Sequence, residues 1–377
     1  MRNYWLLVVF TCAACGVNGK DGEPALPKSG AAVTQVAFTT DGKGLVAVES
    51  VFFYANSIRE NCYTRVRRFS VPDGTIAADT GELQLLDLTF ARRVSGSWIA
   101  QAMEFDRFGK GNPFAGVLFF ELDTQTLERR AIHLIEPEHH YRHFRPSALS
   151  CALHEPFCVF GINHFVVNKD KKQPAPIVFD LKVKKKSIAL DEDLNTKPTN
   201  ASARLEYAPN GKTIASFPAV EPLQLQIHDA ATGKLLKSRK IESPVVDMKF
   251  SPDGKLLVAM CTDGTLLILH SDLSNQIATK QCEGFAFAKY GDTARHVLAF
   301  VDNGHLAAVT SDANVELFDT HEWKSVRRFE GPKNRLNCVA SSLDGKFLAA
   351  GFGDTLNYPG LIRIWEVNTG KLLKELR

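Results

Sequence analysis

The stretch Val245–Phe250 (VVDMKF), followed by Ser251–Gly254 (SPDG) and Lys255–Met260 (KLLVAM), holds the pattern that decides the fold. Apolar side chains alternate on both sides of a turn that contains Asp-Gly, a dipeptide that tolerates the positive backbone angles of tight turns. A short link, Thr262–Gly264 (TDG), leads to a third alternating segment at Thr265–His270. The stretch therefore predicts a meander of short antiparallel strands.

The same unit recurs along the chain, and a period of about 40 to 50 residues indicates a repeat architecture. Clear copies of its first strand and turn stand at Val33–Phe38 with Asp41-Gly42, Arg204–Tyr207 with Pro209–Gly211, His296–Val301 with Asn303-Gly304, and Leu336–Ser341 with Asp344-Gly345. Divergent copies are Leu85–Phe90 with Ser95-Gly96, and Ser147–Ala152 with His154-Glu155. With the opening stretch, the copies predict seven units.

A third strand and a turn into a fourth follow in most copies, for example Leu225–Asp229 before Thr232–Leu236, and Ile362–Glu366 before Thr369–Leu373. Four short strands per unit predict an all-β fold, a seven-bladed β-propeller of four-stranded antiparallel blades over residues 33–377. The chain begins this region at a first strand and ends near a fourth, so each blade is expected to be complete in sequence.

Two segments carry a family resemblance. Phe250–Leu257 (FSPDGKLL) and Ile362–Glu366 (IRIWE) resemble the first hairpin and the Trp-Asp third strand of WD40 repeats. The resemblance implies that the links from second to third strands, and from each fourth strand to the next blade, lie on one face of the ring. It is specific for fold and weak for function, because propellers host many unrelated activities.

The charge balance excludes a global electrostatic role. The chain has 45 basic and 42 acidic side chains, a net charge of +3. No overall field draws such a chain to nucleic acid or to an anionic membrane, so nucleic acid is not an expected partner. The lysine run at residues 169–186 is read as a pair of solvated loops.

The N-terminus differs from the rest of the chain. Arg2 precedes an apolar run, Tyr4–Phe10, and then Ala13-Ala14-Cys15. The run is too short to span a bilayer and is typical of a signal peptide. Residues 1–16 resemble a bacterial lipoprotein signal with Cys15 as the lipidated residue, but Cys12 departs from the usual Leu, so simple secretion and a retained anchor stay open. Residues 17–32 are expected to form a flexible tether.

This signal predicts an exported protein, periplasmic or tethered to the outer membrane by a lipid. Disulfides persist in such a compartment, so the cysteines need attention. A turn at His154-Glu155 would place Cys151 opposite Cys158 on adjacent strands, which makes them the candidate disulfide. The alternative is that both are small core residues.

Long links concentrate in four of the predicted blades. Second-to-third links are long at Tyr54–Tyr63, Phe105–Ala115, His164–Ala175 and Phe352–Gly360, in blades 1, 2, 3 and 7. These blades are contiguous in a closed ring, so one arc of one face is predicted to carry the binding surface. Its candidate binding residues are aromatic and arginine side chains, the types enriched in interface hot spots: Tyr54, Arg59, Phe105, Arg107, Phe108, Phe114, Tyr141 and Tyr358. The alternative is that several of these side chains fold back to cover the ends of the blades.

The connection between blades 2 and 3 holds Glu138, His139, His140 and His143. Imidazole and carboxylate are transition-metal ligands, which makes these residues weak candidates for a metal site. Loop histidines without a strand or helix to fix their spacing rarely converge on one ion, so a polar contact loop or a solvated loop is the alternative.

No catalytic motif of the hydrolase, zinc-protease or dinucleotide-binding kinds is present in the sequence. We therefore expect no catalytic residues and no cofactor. The favoured hypothesis is a binding or scaffold module for a protein or glycan partner in the cell envelope. The alternatives are a propeller hydrolase or lactonase with a loop-built polar or metal site, and a cytoplasmic scaffold whose N-terminus only imitates a signal.

Overall fold

The turn at Ser251–Gly254 shows how the sequence builds each blade. The Ser251 hydroxyl donates to Asp253 Oδ1 at 2.7 Å, and the backbone N–H of Leu256 donates to Ser251 Oγ at 3.0 Å. Gly254 has a φ of +71°, a backbone conformation that glycine adopts without steric cost. The Ser251 hydroxyl, followed by the Lys255 N–H, holds the pKa of Asp253 below its usual value. Hydrogen bonds of side chains within the turn thus stabilise this hairpin independently of packing against other blades.

Two other first turns use the same device. Thr39 donates to Asp41 at 2.6 Å, and Ser342 donates to Asp344 at 2.7 Å. In each case a later backbone N–H donates back to the hydroxyl, from Gly44 and from Phe347 respectively. The hairpin signal read from the sequence therefore corresponds to a specific hydrogen-bonded turn.

The computed structural model describes residues 32–55, 58–83, 85–91, 97–105, 114–135, 144–151, 157–164, 177–180, 185–190, 197–198, 203–218, 220–282, 296–310, 313–332, 335–354 and 358–377. Blade 1 consists of β1 Ala32–Phe38, β2 Gly44–Ala55, β3 Ile58–Ser70 and β4 Ile76–Asp79, and blade 2 of β5 Leu85–Ala91, β6 Ser97–Phe105, β7 Phe114–Asp123 and β8 Arg129–Ile135. Blade 3 consists of β9 Phe144–Cys151, β10 Phe157–His164, β11 Ile177–Asp180 and β12 Lys185–Ala189.

Blade 4 consists of β14 Arg204–Tyr207, β15 Thr213–Phe217, β17 Gln224–Asp229 and β18 Leu235–Lys240, with a small accessory pair, β13 Lys197–Pro198 and β16 Val220–Glu221. Blade 5 consists of β19 Val245–Phe250, β20 Leu256–Cys261, β21 Thr265–His270 and β22 Gln276–Gln281, and blade 6 of β23 Leu298–Phe300, β24 His305–Val309, β25 Val315–Asp319 and β26 Ser325–Phe329. Blade 7 consists of β27 Leu336–Ser341, β28 Phe347–Asp354, β29 Tyr358–Glu366 and β30 Leu372–Leu376.

The described residues form seven four-stranded antiparallel sheets, each built from consecutive strands apart from the accessory strand β16 that interrupts blade 4. This confirms the predicted seven-bladed β-propeller, including the two blades inferred from divergent copies. The turns expected at Ser95-Gly96 and His154-Glu155 lie outside the described residues.

Third-to-fourth turns repeat a second device. Asp229 accepts the backbone N–H of Thr232 at 2.7 Å, and Gly233 then adopts a φ of +74°. At the equivalent positions of blades 2 and 6 stand Leu127 and Trp323, with φ values of 60° and 54°. Both side chains are buried, so their packing offsets a backbone conformation that costs a non-glycine residue about 1 kcal/mol or more.

The hydrophobic core lies in layers between the faces of neighbouring blades. Trp98 and Phe120 of blade 2 pack with Val46 of blade 1, and all three are fully or nearly fully buried. Phe329 of blade 6 lies 5.8 Å from Trp365 of blade 7, measured between ring centroids. Each fully buried aromatic or aliphatic side chain contributes roughly 1.5–3 kcal/mol, which makes these layers the main source of stability.

Side chains also join the first strands of adjacent blades, which are the inner strands around the central channel. At six junctions a side chain on one inner strand bonds to the backbone of the next: Gln35 Nε2 to the Phe90 carbonyl, Ser150 Oγ from the Tyr207 N–H, Arg204 to the Val246 carbonyl, Asp247 Oδ2 from the Leu298 N–H, Ser341 Oγ to the Phe300 carbonyl, and Asn337 Nδ2 to the Val33 carbonyl. Such contacts satisfy buried polar groups while fixing the register of neighbouring blades.

The ring closes between blade 7 and blade 1 by side-chain contact. Blade 7 takes its four strands from the C-terminal segment, as predicted, and packs Ile364 and Leu376 against Phe38 and Phe69 of blade 1. Arg67 of blade 1 also donates to the backbone carbonyl of Arg377 at 3.2 Å. Closure thus rests on a packed interface and a few directed hydrogen bonds.

Candidate functional site

All seven sheets share one strand order, so their second-to-third turns meet on one face of the ring, which we call the upper face. The first-to-second and third-to-fourth turns lie on the opposite, lower face. The sequence placed the candidate binding residues on the upper face, over blades 7, 1, 2 and 3.

Blade 1 carries an extended hairpin on the upper face. Its second and third strands have 12 and 13 residues, whereas the matching strands of blade 5 have 6 each. Six more residues per strand extend the hairpin by about 20 Å. The link predicted at Tyr54–Tyr63 is therefore mostly strand, because β2 continues to Ala55 and β3 begins at Ile58.

Two candidate residues are brought directly opposite each other near the tip of this hairpin. Tyr54 pairs with Arg59 in the ladder, one step from the end pair of Ala55 and Ile58. Because opposite residues of an antiparallel pair share a face of the sheet, Tyr54 and Arg59 lie on the same face. The backbone register therefore places both candidate residues at the same level of the hairpin, next to its tip.

Blade 2 brings together a second pair of candidates. Phe105 ends β6, Phe114 begins β7, and the two are partners in the ladder. In blade 7, Tyr358 begins β29 and pairs with Asp354, so the predicted link at Phe352–Gly360 is also shorter than expected. In blades 1 and 7, backbone pairing extends beyond the alternating apolar segment, so part of each predicted link is strand.

Several predicted residues lie outside the described part of the chain. These are Arg107 and Phe108 in the blade 2 link, Tyr141, and the metal candidates Glu138, His139, His140 and His143. Most of the blade 3 link, from 165 to 176, lies outside it as well. Among the described residues, no group of three or more histidine, cysteine or acidic side chains could hold a metal ion.

Cys151 and Cys158 stand opposite each other in the ladder of β9 and β10, as the sequence predicted. Both side chains are buried, and the structure holds them as thiols. The register brings the two cysteines opposite each other, and the disulfide between them stays a prediction. Elsewhere, burial raises the pKa of the Cys261, Cys282 and Cys338 thiols to about 12, which keeps these cysteines protonated and unreactive.

Sequence reasoning missed a group of charges on the inner strands of blades 4 and 5. Lys249 Nζ lies 2.9 Å from Glu206 Oε2, and both side chains are partly exposed. Asp247 is 4% exposed and accepts the N–H groups of Met248 at 2.9 Å and Leu298 at 3.0 Å. Desolvation raises the pKa of Asp247 to about 6, against the lowering effect of Lys249.

The sequence feature that could have revealed this group of charges is Asp247, an acidic residue within the apolar segment Val245–Phe250. The bonds of Asp247 run to backbone groups of its own blade and of blade 6, and Arg204 reaches the Val246 carbonyl. These partners fit a role in holding blades together.

The repeats have counterparts in known proteins. The family described as "WD domain, G-beta repeat" matches residues 233–268 and 323–366, which fall in blades 4 to 5 and 6 to 7. The Set1 complex component swd2 of Schizosaccharomyces pombe (strain 972 / ATCC 24843) is 28% identical over 140 residues, covering 36% of this chain. That match spans 35% of the relative's own length.

A solved structure agrees over nearly the whole chain. The crystal structure of the computationally designed Ika8 protein superposes with a TM-score of 0.56 at 16% identity, covering 93% of this chain and 88% of that one. At this identity the likeness concerns the fold alone. Within the described residues, no helix has the length and apolar character needed to cross a membrane. The seven sheets and this superposition show a β-propeller fold, and the two matched segments show that parts of blades 4 to 7 are similar to WD40 repeats.

Proposed function

We propose that this propeller is a protein-interaction scaffold whose partner binds the upper face over blades 7, 1, 2 and 3. The observation that carries the proposal is the blade 1 hairpin, which extends about 20 Å further than the matching strands of blade 5. A strand pair of this length adds surface without adding to the inter-blade core. Binding residues concentrate on such projections from a rigid scaffold.

The residue types near the hairpin tips support a protein partner. Tyr54 and Arg59 share a face in blade 1, and Phe105 and Phe114 share a face in blade 2. Tyrosine, phenylalanine and arginine are enriched in interfaces. The similarity to a fission-yeast protein named as a component of a complex also favours assembly with other proteins.

The test is a capture experiment in cells of the organism that encodes the chain. Tagged wild type, the upper-face variant Tyr54→Ala/Arg59→Ala, and a lower-face control, Lys255→Ala/Lys346→Ala, are cross-linked, purified and compared by quantitative mass spectrometry. Both control lysines are exposed in first-to-second turns, at 80% and 68% of the side chain. We expect the upper-face variant to lose its main partner and the control to retain it.

The reverse pattern, with the partner lost from the lower-face control and kept by the upper-face variant, would overturn the assignment of the face. Equal retention in all three proteins would also overturn it, because truncating a hot-spot residue costs about 2 kcal/mol or more. Circular dichroism of each variant establishes that the fold is unchanged.

We also propose, from the sequence, that the chain is exported and tethered through Cys15, and that its partner is a protein or glycan of the cell envelope. Residues 1–31 lie outside the described part of the chain, so this proposal rests on the signal-like segment alone. Mass spectrometry of the mature N-terminus tests it: a lipid-modified Cys15 is expected, and an intact Met1 would overturn it. Peptide mapping of the same sample would reveal whether Cys151 and Cys158 are bonded.

A further inference from the structure

The fourth strands of the seven blades, which we call the outer strands, carry as a group an excess of positive over negative charge. Together β4, β8, β12, β18, β22, β26 and β30 contain eleven basic and two acidic residues. The whole chain has a net charge of only +3, so positive charge is concentrated on the circumference of the ring. Such segregation creates local attraction for anions that the overall charge conceals.

In several blades the outer charges are neutralised within the sheet. Glu375 of β30 binds Arg363 of the neighbouring strand at 3.0 Å, and Asp79 of β4 binds Arg65 in the same way. In blade 6, Arg328 stands opposite Glu316 in the ladder. On each of these three outer strands, one charged residue therefore has an oppositely charged residue beside it in its own sheet.

Blade 4 is different. Its outer strand β18 contains Lys237, Arg239 and Lys240, and their ladder partners are the uncharged residues Ile227, Leu225 and Gln224. Lys237 and Lys240 are exposed, and none of the three makes an ion pair among the described residues. Arg239 donates instead to the amide oxygen of Gln276 in blade 5 at 3.2 Å.

The surroundings add positive charge and an apolar contact. Lys234 precedes β18 and is exposed, and Leu236 within the strand is 54% exposed. The outer strand of the neighbouring blade 3, β12, also contains two lysines, Lys185 and Lys186. One acidic group also lies near this edge: the pKa of Asp272 in blade 5 is lowered mainly by Ser274 and to a smaller extent by Lys237.

A backbone edge accompanies these charges. β18 is the last strand of its sheet, so one side of its backbone has no neighbouring strand among the described residues. An extended peptide can add to such an edge through main-chain hydrogen bonds, with side chains at alternate positions giving specificity. Acidic residues two apart on an added strand would face Lys237 and Arg239, because alternate residues share one face.

We propose that the outer edge of blade 4 binds an extended acidic segment of a partner protein, which adds to β18 as a fifth strand. This surface is separate from the upper face, so the inference does not depend on the proposed function. Charge complementarity commits the site to an acidic ligand, and the free strand edge favours a peptide over a nucleic acid. Leu236 would contact an apolar residue among the acidic ones.

The probe is a fluorescent peptide of alternating glutamate and valine, about eight residues long, the length of a strand. Its affinity for the full chain is measured by fluorescence polarisation. The variant Lys237→Glu/Arg239→Glu/Lys240→Glu removes the edge charges. The control Lys43→Glu/Lys324→Glu/Lys371→Glu makes the same change in net charge at exposed lysines elsewhere. We expect the edge variant to bind about tenfold more weakly, because it replaces the ion pairs at Lys237 and Arg239 by repulsion between carboxylates, and the control to bind nearly as wild type.

Two further probes separate the kinds of ligand. A peptide of the same charge with proline replacing valine loses every second backbone N–H, and the fixed φ of about −65° of proline opposes a regular strand, so it should bind several-fold more weakly. A single-stranded oligonucleotide of equal charge should bind more weakly than the acidic peptide. Equal loss in the edge variant and the control, equal binding of the proline peptide, or tighter binding of the oligonucleotide would each overturn the proposal.

Discussion

The side-chain amide of Asn337, on the inner strand of blade 7, donates a hydrogen bond of 3.1 Å to the backbone carbonyl of Val33 on the inner strand of blade 1. The same amide also donates to the Gly353 carbonyl at 2.8 Å. Asn337 is fully buried, so this one side chain joins residues 304 positions apart at the ring closure. Asn337 is therefore one of the directed contacts that close the ring, beside the packed interface and the bond from Arg67 to the Arg377 carbonyl.

We expect Asn337→Ala to lower the free energy of unfolding by about 2 kcal/mol, because it leaves two buried carbonyls without their donor. Urea denaturation followed by circular dichroism measures the change. Asn275→Ala, at an exposed turn position, serves as the control and should change the stability by less than about 0.5 kcal/mol. Equal effects of the two substitutions would show that the closure contact carries no stability.

For the buried Glu49–Arg67 ion pair of blade 1, we expect a single substitution to lower the free energy of unfolding much more than a double substitution. Both side chains are nearly inaccessible, at 7% and 10% exposure, whereas the Arg65–Asp79 pair of the same blade is considerably more exposed. Arg67→Met leaves a buried carboxylate alone and should cost about 3 to 5 kcal/mol.

The double variant Glu49→Leu/Arg67→Met should recover most of this loss, because it removes both charges. Arg65→Met is the exposed control and should cost no more than about 1 kcal/mol. Thermal and urea unfolding of the four proteins provides the comparison. A double variant as unstable as Arg67→Met would contradict the electrostatic explanation.

Asp247 predicts a pH-dependent contribution to stability. Its pKa in the folded chain is about 6, above the ordinary value of 3.8, because burial penalises the charged form. A raised pKa means that the folded state favours the protonated form, so the contribution of Asp247 is most favourable below pH 4 and is lost as the pH rises through 6. The difference amounts to about 3 kcal/mol.

The free energy of unfolding of wild type, minus that of Asp247→Asn, should therefore increase as the pH is lowered from about 8 to about 4. Chemical denaturation across that range measures the difference, and subtraction cancels the groups common to both proteins. A difference that is flat with pH, or that falls toward acid, would show that the two N–H donors outweigh burial.

Substitutions in the first-to-second turns are expected to cause small, additive losses in the free energy of unfolding. Ser251→Ala and Ser342→Ala each remove a hydroxyl that accepts one backbone N–H and donates to an aspartate. Each should cost about 1 kcal/mol, and the double variant should cost their sum, because the turns belong to different blades. Ser325→Ala, at an exposed position of β26, is the neutral control. Marked non-additivity would contradict independent turns.

The repeat count could be predicted from the sequence because its strongest signal is local. Asp-Gly turns such as Asp253-Gly254 and Asp344-Gly345 fix hairpins through hydrogen bonds within a few residues. Each such turn marks a blade, so even the two divergent copies could be placed by spacing between clear ones.

Longer-range features could not be predicted in the same way. The hairpin of blade 1 was taken for a loop because residues 51–63 lack regular alternation, although backbone pairing continues to Ala55 and Ile58. The bonds of Asn337 and Asp247 join different blades, and no periodicity connects a side chain to a backbone group in another repeat. For the candidate site, the sequence indicated the face and the residue types, while the ladder revealed that Tyr54 and Arg59 are opposite each other.

Amide hydrogen exchange of the chain, alone and in complex with the partner recovered by capture, tests the upper-face account most directly. We predict that binding protects peptides covering Phe52–Asn61 of the blade 1 hairpin and the strand ends at Phe105 and Phe114. Peptides covering the lower turn at Ser251–Gly254 should exchange at the same rate in both states. Protection of the lower turns with unchanged exchange in the blade 1 hairpin would contradict the account.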